Sequence, residues 1–342
     1  MLKRFFTYAL LGIVLILAAT GGWLYYQIKN PPGLTPYADL WIPPAPASDQ
    51  QAQLRVTFLG VSTLLLDDGE TAILTDGFFS RPDAKTVFTG KIAPNPEIIQ
   101  QSLQHAGIKQ LAAVIVAHSH YDHAMDAPEV ARRTNAVLVG SESTANVGRG
   151  WGIKEPMIKV VHDAESLNFG RFQLKFIRSQ HAPTGFTGGT IDAPLVPPVR
   201  ANAYKEGQSF SILLTHEAKS LLIHSSAGFE TDALQGQHAD VVFLGIGTLG
   251  TQPKEFQETY WKEVVASVGA RRVIPIHWDN FFLPLDQLLQ AGPRPFDNIE
   301  NSMQFLMDKG KQEKVEIRLA PAWVVIDPFF GLIKQAEIST LK

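Results

Sequence analysis

A short stretch near the middle of this chain joins a strand-like apolar run to a dense cluster of polar groups. Residues 114–117 are apolar and mostly β-branched, and His118, His120, Asp122 and His123 follow them directly. The apolar run predicts a buried strand, and the cluster predicts the loop that leaves its C-terminal end. Such groups at the end of a buried strand cost free energy unless a metal ion or water satisfies them. The stretch therefore predicts a metal site carried by a buried strand.

The spacing of the four polar residues indicates which of them can share a cation. His118 and His120 are two apart, so in extended chain they point the same way and can bind one ion. Asp122 and His123 are adjacent, point elsewhere and can hold a second ion close by. Imidazole with carboxylate suits zinc, and also manganese or iron. A solvated polar loop is the alternative interpretation, which the restrictive HxHxDH spacing disfavours.

The HxHxDH pattern resembles the signature of the metallo-β-lactamase superfamily, and other parts of the chain extend the resemblance. Asp76 follows an early predicted strand, and His277 follows the predicted strand Arg272–Ile276. The pattern is most similar to the branch of ascorbate-6-phosphate lactonase-like hydrolases and N-acyl-phosphatidylethanolamine phospholipase D-like enzymes. The resemblance covers residues 54–328 and implies an α/β fold. That fold is a four-layer αββα sandwich of two mixed β-sheets, with metals between loops at one edge of the sheets.

The resemblance also assigns roles that local sequence leaves open. His181 ends the predicted strand Phe172–Ser179, where a lone histidine is usually structural. Asp76 is an ordinary turn residue by local chemistry, but the resemblance implies that it orients the metal histidines. The implied ligands are His118, His120 and His181 for the first metal and Asp122, His123 and His277 for the second.

The chain departs from the family pattern where the family places a carboxylate that bridges two metals. Ser226 occupies that position, after the predicted strand pair Ser209–Thr215 and Ser220–His224. A neutral hydroxyl is a poorer bridging ligand than a carboxylate, so the binding of the second metal is expected to be weakened most. Three outcomes are open: one catalytic metal, two metals bridged by hydroxide alone, or loss of catalysis. Glu230 and Asp232 are possible replacements, and His224 is interpreted as an ordinary strand histidine.

The predicted site indicates metal-assisted hydrolysis with one or two zinc ions, or with manganese or iron. A bound cation lowers the pKa of water from about 15.7 to roughly 7, which provides a metal-bound hydroxide at neutral pH. Asp122 is the candidate catalytic base for the attacking water. We expect a phosphodiester, ester or lactone substrate, small or lipid-like, and rank a β-lactam lower. The alternatives are a non-catalytic or altered-metal member that binds a ligand, given Ser226, and a redox protein that holds iron.

The N-terminal segment predicts a membrane helix. Residues 5–26 carry no charge and as a helix would span roughly 33 Å, enough to cross a bilayer core. Lys3 and Arg4 precede the segment, so the N-terminus is expected to stay in the cytoplasm. A cleaved signal peptide is the alternative. Either way the main domain lies outside a bacterial inner membrane, on the periplasmic or extracellular side, and the absence of cysteine is compatible with that location.

The remaining features set the domain organisation. We predict an anchor or signal segment at 1–28, a proline-rich spacer apart from the core at 29–53 and a hydrolase domain at 54–342. The formal charge of −3 argues against a nucleic-acid partner. The Gly- and Pro-rich segment Thr184–Gly207 predicts a loop that borders the substrate cavity, or else an insertion. Strands at Val315–Leu319 and Trp323–Ile326 are expected to complete the second sheet, and the oligomeric state stays open.

Overall fold

Two seven-stranded mixed sheets form the centre of the protein. The computed structural model describes residues 2–46, 54–185, 187–294 and 296–332. Along the first sheet the strands are β14 (Val325–Ile326), β1 (Arg55–Phe58), β2 (Leu64–Asp67), β3 (Ala72–Thr75), β4 (Ala113–Ile115), β5 (Val137–Gly140) and β6 (Ile158–Val160). Along the second they are β13 (Glu316–Ile317), β12 (Arg272–Ile276), β11 (Val241–Gly245), β10 (Lys219–His224), β9 (Ser209–His216), β8 (Phe172–Ser179) and β7 (Ser166–Phe169).

Helices cover the outer faces of the sheets, as the predicted αββα sandwich requires. Side chains of both sheets form one core, in which Phe58 and Ile115 of the first sheet join Phe176 and Phe243 of the second. A separate apolar cluster lies beneath the helices of the first sheet. The described α-helices are α1 (Leu2–Lys29), α2 (Ala84–Thr89), α3 (Pro96–His105), α4 (Tyr121–Ala124), α5 (Ala127–Thr134), α6 (Glu142–Gly150), α7 (Lys254–Trp261) and α8 (Ile299–Glu313).

The direction of the strands determines where their polar ends lie. In the first sheet, β3, β4, β5 and β6 run parallel, because helices return the chain between them. In the second sheet, β10, β11 and β12 run parallel, and β8 shares their direction because the antiparallel β9 separates it from β10. Within each sheet, the C-terminal ends of these strands therefore meet at one edge.

Two expectations from the sequence are wrong. Of the C-terminal strands, β13 joins the second sheet beside β12, but β14 pairs with β1 and extends the first sheet. The proline-rich segment is not separate from the core, because Tyr37 and Ile42 are buried in it. The amide of Ile42 also donates to the carbonyl of Leu319 at 2.9 Å, which ties the segment to the domain. Residues 47–53 of that segment, and 333–342 of the predicted domain, lie outside the described residues.

The N-terminal helix α1 is long and apolar enough, by length and composition, to cross a membrane between Arg4 and Lys29. Its apolar side chains, such as Leu15 and Ile16, are exposed rather than packed on the domain. A signal sequence has the same properties, so α1 is a candidate membrane span. The helix does not show on which side of a membrane the domain lies.

A buried aspartate connects the two sheets at the edge opposite the polar strand ends. Asp68, in the turn between β2 and β3, accepts a hydrogen bond from Nε2 of His216 at 2.9 Å and one from Nε of Arg171 at 3.0 Å. Burial alone would raise the pKa of Asp68, but bonds from Thr71 and His216 hold it below its ordinary value. Asp68 is therefore a charged acceptor shared by loops of both sheets.

We predict that Asp68→Ala lowers the free energy of unfolding by about 3 kcal/mol, because it leaves buried partners without their charge. Asp67→Ala is the matched control, since Asp67 is partly exposed and its pair with Arg55 is expected to contribute less than about 1 kcal/mol. Urea unfolding of the detergent-solubilised chain measures both. Equal losses for the two variants would show that Asp68 does not connect the sheets in this way.

Candidate metal centre

Two groups of potential metal ligands lie at the C-terminal edge of the sheets. The Nδ1, Nε2 or carboxylate atoms that each group offers lie within 4.8 Å of one another. The groups adjoin, because the ring centroids of His118 and His123 are 3.8 Å apart. The first group consists of His118, His120 and His181, and the second of Asp122, His123 and His277.

The local structure explains how residues distant in sequence reach this edge. His118 and His120 lie in the loop after β4, whereas Asp122 and His123 lie in the short helix α4 that follows. His181 follows β8 and His277 follows β12, so each sheet contributes strand ends. The predicted convergence of these three regions is therefore what the structure shows.

Asp76 holds His123 in a defined orientation. Oδ2 of Asp76 lies 2.8 Å from Nδ1 of His123, and its Oδ1 accepts the amide of Ala117 at 3.0 Å. The hydroxyl of Ser62 donates to Oδ2 of Asp76 at 2.6 Å and also lies 3.0 Å from the same imidazole nitrogen. These contacts engage Nδ1 and direct Nε2 of His123 toward the other donors, as expected for a carboxylate that orients a metal histidine.

Unpartnered buried nitrogen atoms support a metal at this position. Among the described residues, Nε2 of His118, Nε2 of His123 and Nδ1 of His277 are buried and have no hydrogen-bond partner. Buried polar atoms without partners are rare in folded proteins, and an ion is one of the few groups that satisfies several imidazoles together. The donor set of five imidazoles and one carboxylate fits zinc, manganese or iron.

Burial controls the protonation of the donors. Desolvation and the neighbouring imidazoles hold the pKa of His118 well below its ordinary value, and desolvation and His120 lower that of His181 to about 3. Burial would raise the pKa of Asp122, but His123 and His277 hold it below its ordinary range. At neutral pH, His118 and His181 are therefore neutral and Asp122 is ionised, which are the forms that bind cations.

Ser226 faces the site but is turned toward the backbone. Its hydroxyl accepts a hydrogen bond from the amide of Ala182 at 3.0 Å, directly after His181. Gly228 allows this approach, since a Cβ there would lie 2.3 Å from the carbonyl oxygen of His181. Ser226 thus positions the His181 loop, and no carboxylate takes the bridging place among the described residues around it. His224 contacts Ser211 and the carbonyl of Gly228, which supports its interpretation as a structural histidine.

A cavity of about 400 Å³ opens over the two ligand groups. The predicted loop 184–207 borders it through Thr184, Thr187 and Ala201. The amide of Ser119 donates to the carbonyl of Glu206 at 2.8 Å, which fixes the end of this loop against the metal strand. Phe186, inside the loop, lies outside the described residues.

Several cavity residues were not predicted from the sequence. Tyr121 lies inside the HxHxDH motif, and burial followed by the charge of Asp122 raises its pKa well above the ordinary value, so its hydroxyl stays a donor. Burial raises the pKa of Asp297 to about 6 in the same cavity. Phe281 packs against His277 with centroids 5.6 Å apart. The sequence offered one signal for two of these residues: Tyr121 lies within the HxHxDH motif, and Phe281 lies shortly after His277.

A buried ion pair fixes the loop that carries His277. Nη2 of Arg81 lies 2.7 Å from Oδ2 of Asp279, and both side chains are almost fully buried. Oδ1 of Asp279 accepts the amide of Val61 at 2.7 Å, and the carbonyl of Val61 accepts the amide of His277 at 2.6 Å. His277 has a φ of 58°, an unfavourable conformation that these bonds maintain. The pair therefore links the β1–β2 turn, the loop after β3 and a predicted metal ligand.

We predict that Asp279→Asn lowers the affinity of the second metal site by about 10- to 100-fold, because the loop of His277 loses its charged support. The first site should keep its affinity, since it has no contact with this pair. Competition with a chromophoric chelator measures both affinities. Asp286→Asn is the matched control, being an exposed aspartate of the same loop. Loss of both sites together, with a folded chain, would contradict the assignment.

The lowered imidazole pKa values predict an acid-sensitive metal-free protein. Below pH 6.5 the unfolded chain takes up a proton at His181 that the folded chain resists until about pH 3. The unfolded state thus binds more protons, and the free energy of unfolding should fall as pH decreases, by up to about 1.4 kcal/mol per pH unit for each such histidine.

Urea unfolding of the chelator-treated chain between pH 6.5 and pH 4 tests this sign. His181→Ala should reduce the dependence on pH, whereas His238→Ala should leave it unchanged, because the His238 side chain is 62% exposed. Stability that is independent of pH in this window would be incompatible with buried neutral imidazoles.

Comparisons with known proteins place the chain in a family. A family model described as Beta-lactamase superfamily domain matches residues 55–277, from β1 to His277. The chain is 25% identical over 238 residues to a UPF0173 metal-dependent hydrolase of Christiangramia forsetii, covering 67% of this chain and 86% of that protein. It is 26% identical to one from Geobacillus thermodenitrificans, covering 67% and 87%.

The fold has a counterpart among solved structures. Igni18, described as a metallo hydrolase from Ignicoccus hospitalis, superposes with a TM-score of 0.50 at 17% identity, covering 80% of this chain and 98% of that one. This likeness concerns the fold alone. Because the family model spans well over half of the chain, including β1 to β12 and every predicted metal ligand, the chain belongs to the beta-lactamase superfamily.

Proposed function

We propose that the protein is a metal-dependent hydrolase whose ligands are His118, His120 and His181 for one ion and Asp122, His123 and His277 for another. The observation that carries the proposal is the convergence of these donors, several unpartnered, beneath one open cavity. The relatives named metal-dependent hydrolases support the reaction class. Zinc is the preferred ion by donor type, with manganese or iron as alternatives.

Four residues at or near the donors have a defined part in the proposed reaction. A bound divalent cation supplies an activated water and polarises the bond that is attacked. Asp122 is ionised, so its carboxylate can accept a proton released by water as well as bind an ion, and it lies 3.2 Å from Nε2 of His277. The Tyr121 hydroxyl stays protonated and can donate to an oxygen of the substrate. Asp76 and Ser62 keep His123 oriented throughout.

The cavity favours a substrate with an apolar portion. Val87, Phe88, Phe281, Phe282 and Phe296 form much of its wall, whereas the described lining includes no lysine or arginine. An electrophilic ester, lactone or phosphodiester at the donors would place its organic groups against these rings. We therefore propose a small-molecule or lipid-like substrate of one of these three classes.

The location of the protein is part of the same proposal. We propose that α1 remains attached as a single-pass anchor in a bacterial inner membrane, since Trp23, Tyr25 and Tyr26 near its end suit the membrane interface. Lys3 and Arg4 then keep the N-terminus inside and the domain on the periplasmic side. The size of the mature chain in isolated membranes distinguishes this from a cleaved signal segment.

We predict that His118→Ala removes the first metal ion and lowers kcat/KM by more than about 100-fold, because loss of a direct ligand exceeds the usual effect of supporting residues. The full-length chain is loaded with zinc or manganese, its metal content is measured, and phosphodiesters, esters and lactones are compared as substrates. His238→Ala is the matched control, since that histidine is exposed and far from the donors in sequence.

The outcomes separate the proposal from its alternative. Metal bound by the unsubstituted chain and activity lost with His118→Ala support the hydrolase. Metal bound without turnover of any substrate class favours a ligand-binding member that lost catalysis with the bridging carboxylate, as Ser226 suggests. Activity retained by metal-free His118→Ala would end the proposal.

A further inference from the structure

A chain of aromatic contacts connects the metal centre to the protein surface. The ring of His277 lies 5.6 Å from Phe281, Phe281 lies 4.8 Å from Phe282, and Phe282 lies 5.7 Å from Phe88, all between centroids. Phe88 is 53% exposed and Phe296, which lines the same cavity, is 54% exposed. We call Phe88, Phe281, Phe282 and Phe296 the aromatic rim. Soluble surfaces seldom expose large apolar groups together around a cavity unless something covers them.

The aromatic rim is tied to the end of α1. Arg294 lies two residues before Phe296, and its Nη1 donates to Oε1 of Gln27 at 3.2 Å. The same side chain pairs with Glu300 at 2.9 Å, which holds the guanidinium in place. Two residues of extended chain span at most about 7 Å, so the backbone of Phe296 lies within that distance of Arg294, the residue that contacts the last turn of α1. If α1 spans a bilayer, this turn and its aromatic residues sit at the bilayer surface.

Basic residues flank the aromatic rim on the side of α2. Lys85 lies one helical turn before Phe88 in α2, and its side chain is exposed. Ile92 pairs with Val199 in an antiparallel bridge, which places the exposed residues Lys91 and Arg200 opposite each other beyond it. Exposed apolar rings bordered by lysine and arginine are the composition of surfaces that lie in anionic membrane interfaces.

We propose that the aromatic rim rests on the bilayer surface, so that the mouth of the cavity opens toward the lipid headgroups rather than toward bulk water. The occupant of this apolar face is the membrane that holds α1. A substrate with an apolar portion then enters from the lipid phase and reaches the donors along the rings. This inference rests on the proposed anchoring of α1 and not on the proposed hydrolysis. The fluorescence test below can therefore fail while the hydrolase activity is confirmed, and the reverse.

The absence of cysteine from the chain permits a direct test. Single variants Phe296→Cys and Phe88→Cys carry an environment-sensitive fluorophore in the full-length chain, reconstituted in vesicles of phosphatidylcholine and phosphatidylglycerol. Phe330→Cys is the matched control, because Phe330 is 52% exposed and its carbonyl contacts Arg272 at the opposite end of β12 from His277. Quenching by brominated acyl chains and by aqueous iodide is measured for each label, after unfolding curves show that each variant is folded.

We expect labels at 296 and 88 to be quenched severalfold more by brominated lipid than the label at 330, and less by iodide. Use of two rim positions keeps the test valid if one variant fails to fold. Iodide quenching equal at all three positions would overturn the proposal, since the rim would then face water. Protection from both quenchers would also overturn it, because a protein partner or second copy would then cover the rim.

Discussion

The burial of several imidazoles around Asp122 is the constraint on which the rest of the structure depends. Among the described residues, one nitrogen each of His118, His123 and His277 is buried without a hydrogen-bond partner, and desolvation keeps His118 and His181 neutral. That arrangement persists because the strands of both sheets end at one edge and because Asp76 and the Arg81–Asp279 pair fix the loops. Burying these imidazoles without partners costs free energy, which the packing of the core offsets. A bound metal ion would recover that cost by coordinating the nitrogen atoms.

The fold was predictable where one local pattern decided it. The apolar run before His118 predicted a buried strand, which is β4, and β8 and β12 have the predicted bounds. The sheet that β14 joins was not predictable. A short apolar segment indicates a strand, but it does not show which other strand will pair with it. Tyr37 and Ile42 were missed for a related reason, since proline-rich composition describes the backbone and says nothing about the apolar residues between the prolines.

The metal ligands also differ in how far local sequence predicted them. His118, His120, Asp122 and His123 follow from spacing alone, whereas His181 and His277 needed the family resemblance, since each is a single histidine after a strand. The support of His277 by Arg81 and Asp279 joins residues about 200 positions apart through a turn at Val61, and no local signal marks such a contact. Sequence thus identifies the donors, and only the fold shows what holds them.

Ser226 connects the chemistry of the donors to the shape of the cavity. Because position 226 holds a serine, whose hydroxyl bonds to the amide of Ala182, Asp122 is the single carboxylate among the six donors, and it would offset only a small part of the charge of two bound divalent cations. An electron-rich oxygen of the substrate is then favoured at the donors, while the rings beyond His277 favour an apolar remainder. With cations bound, the proposed site would be cationic at its base and apolar along its wall, which would favour amphiphilic molecules. Phe296, at the exposed end of that wall, is two residues from Arg294, which bonds to Gln27 of the helix that would bring the domain to lipid.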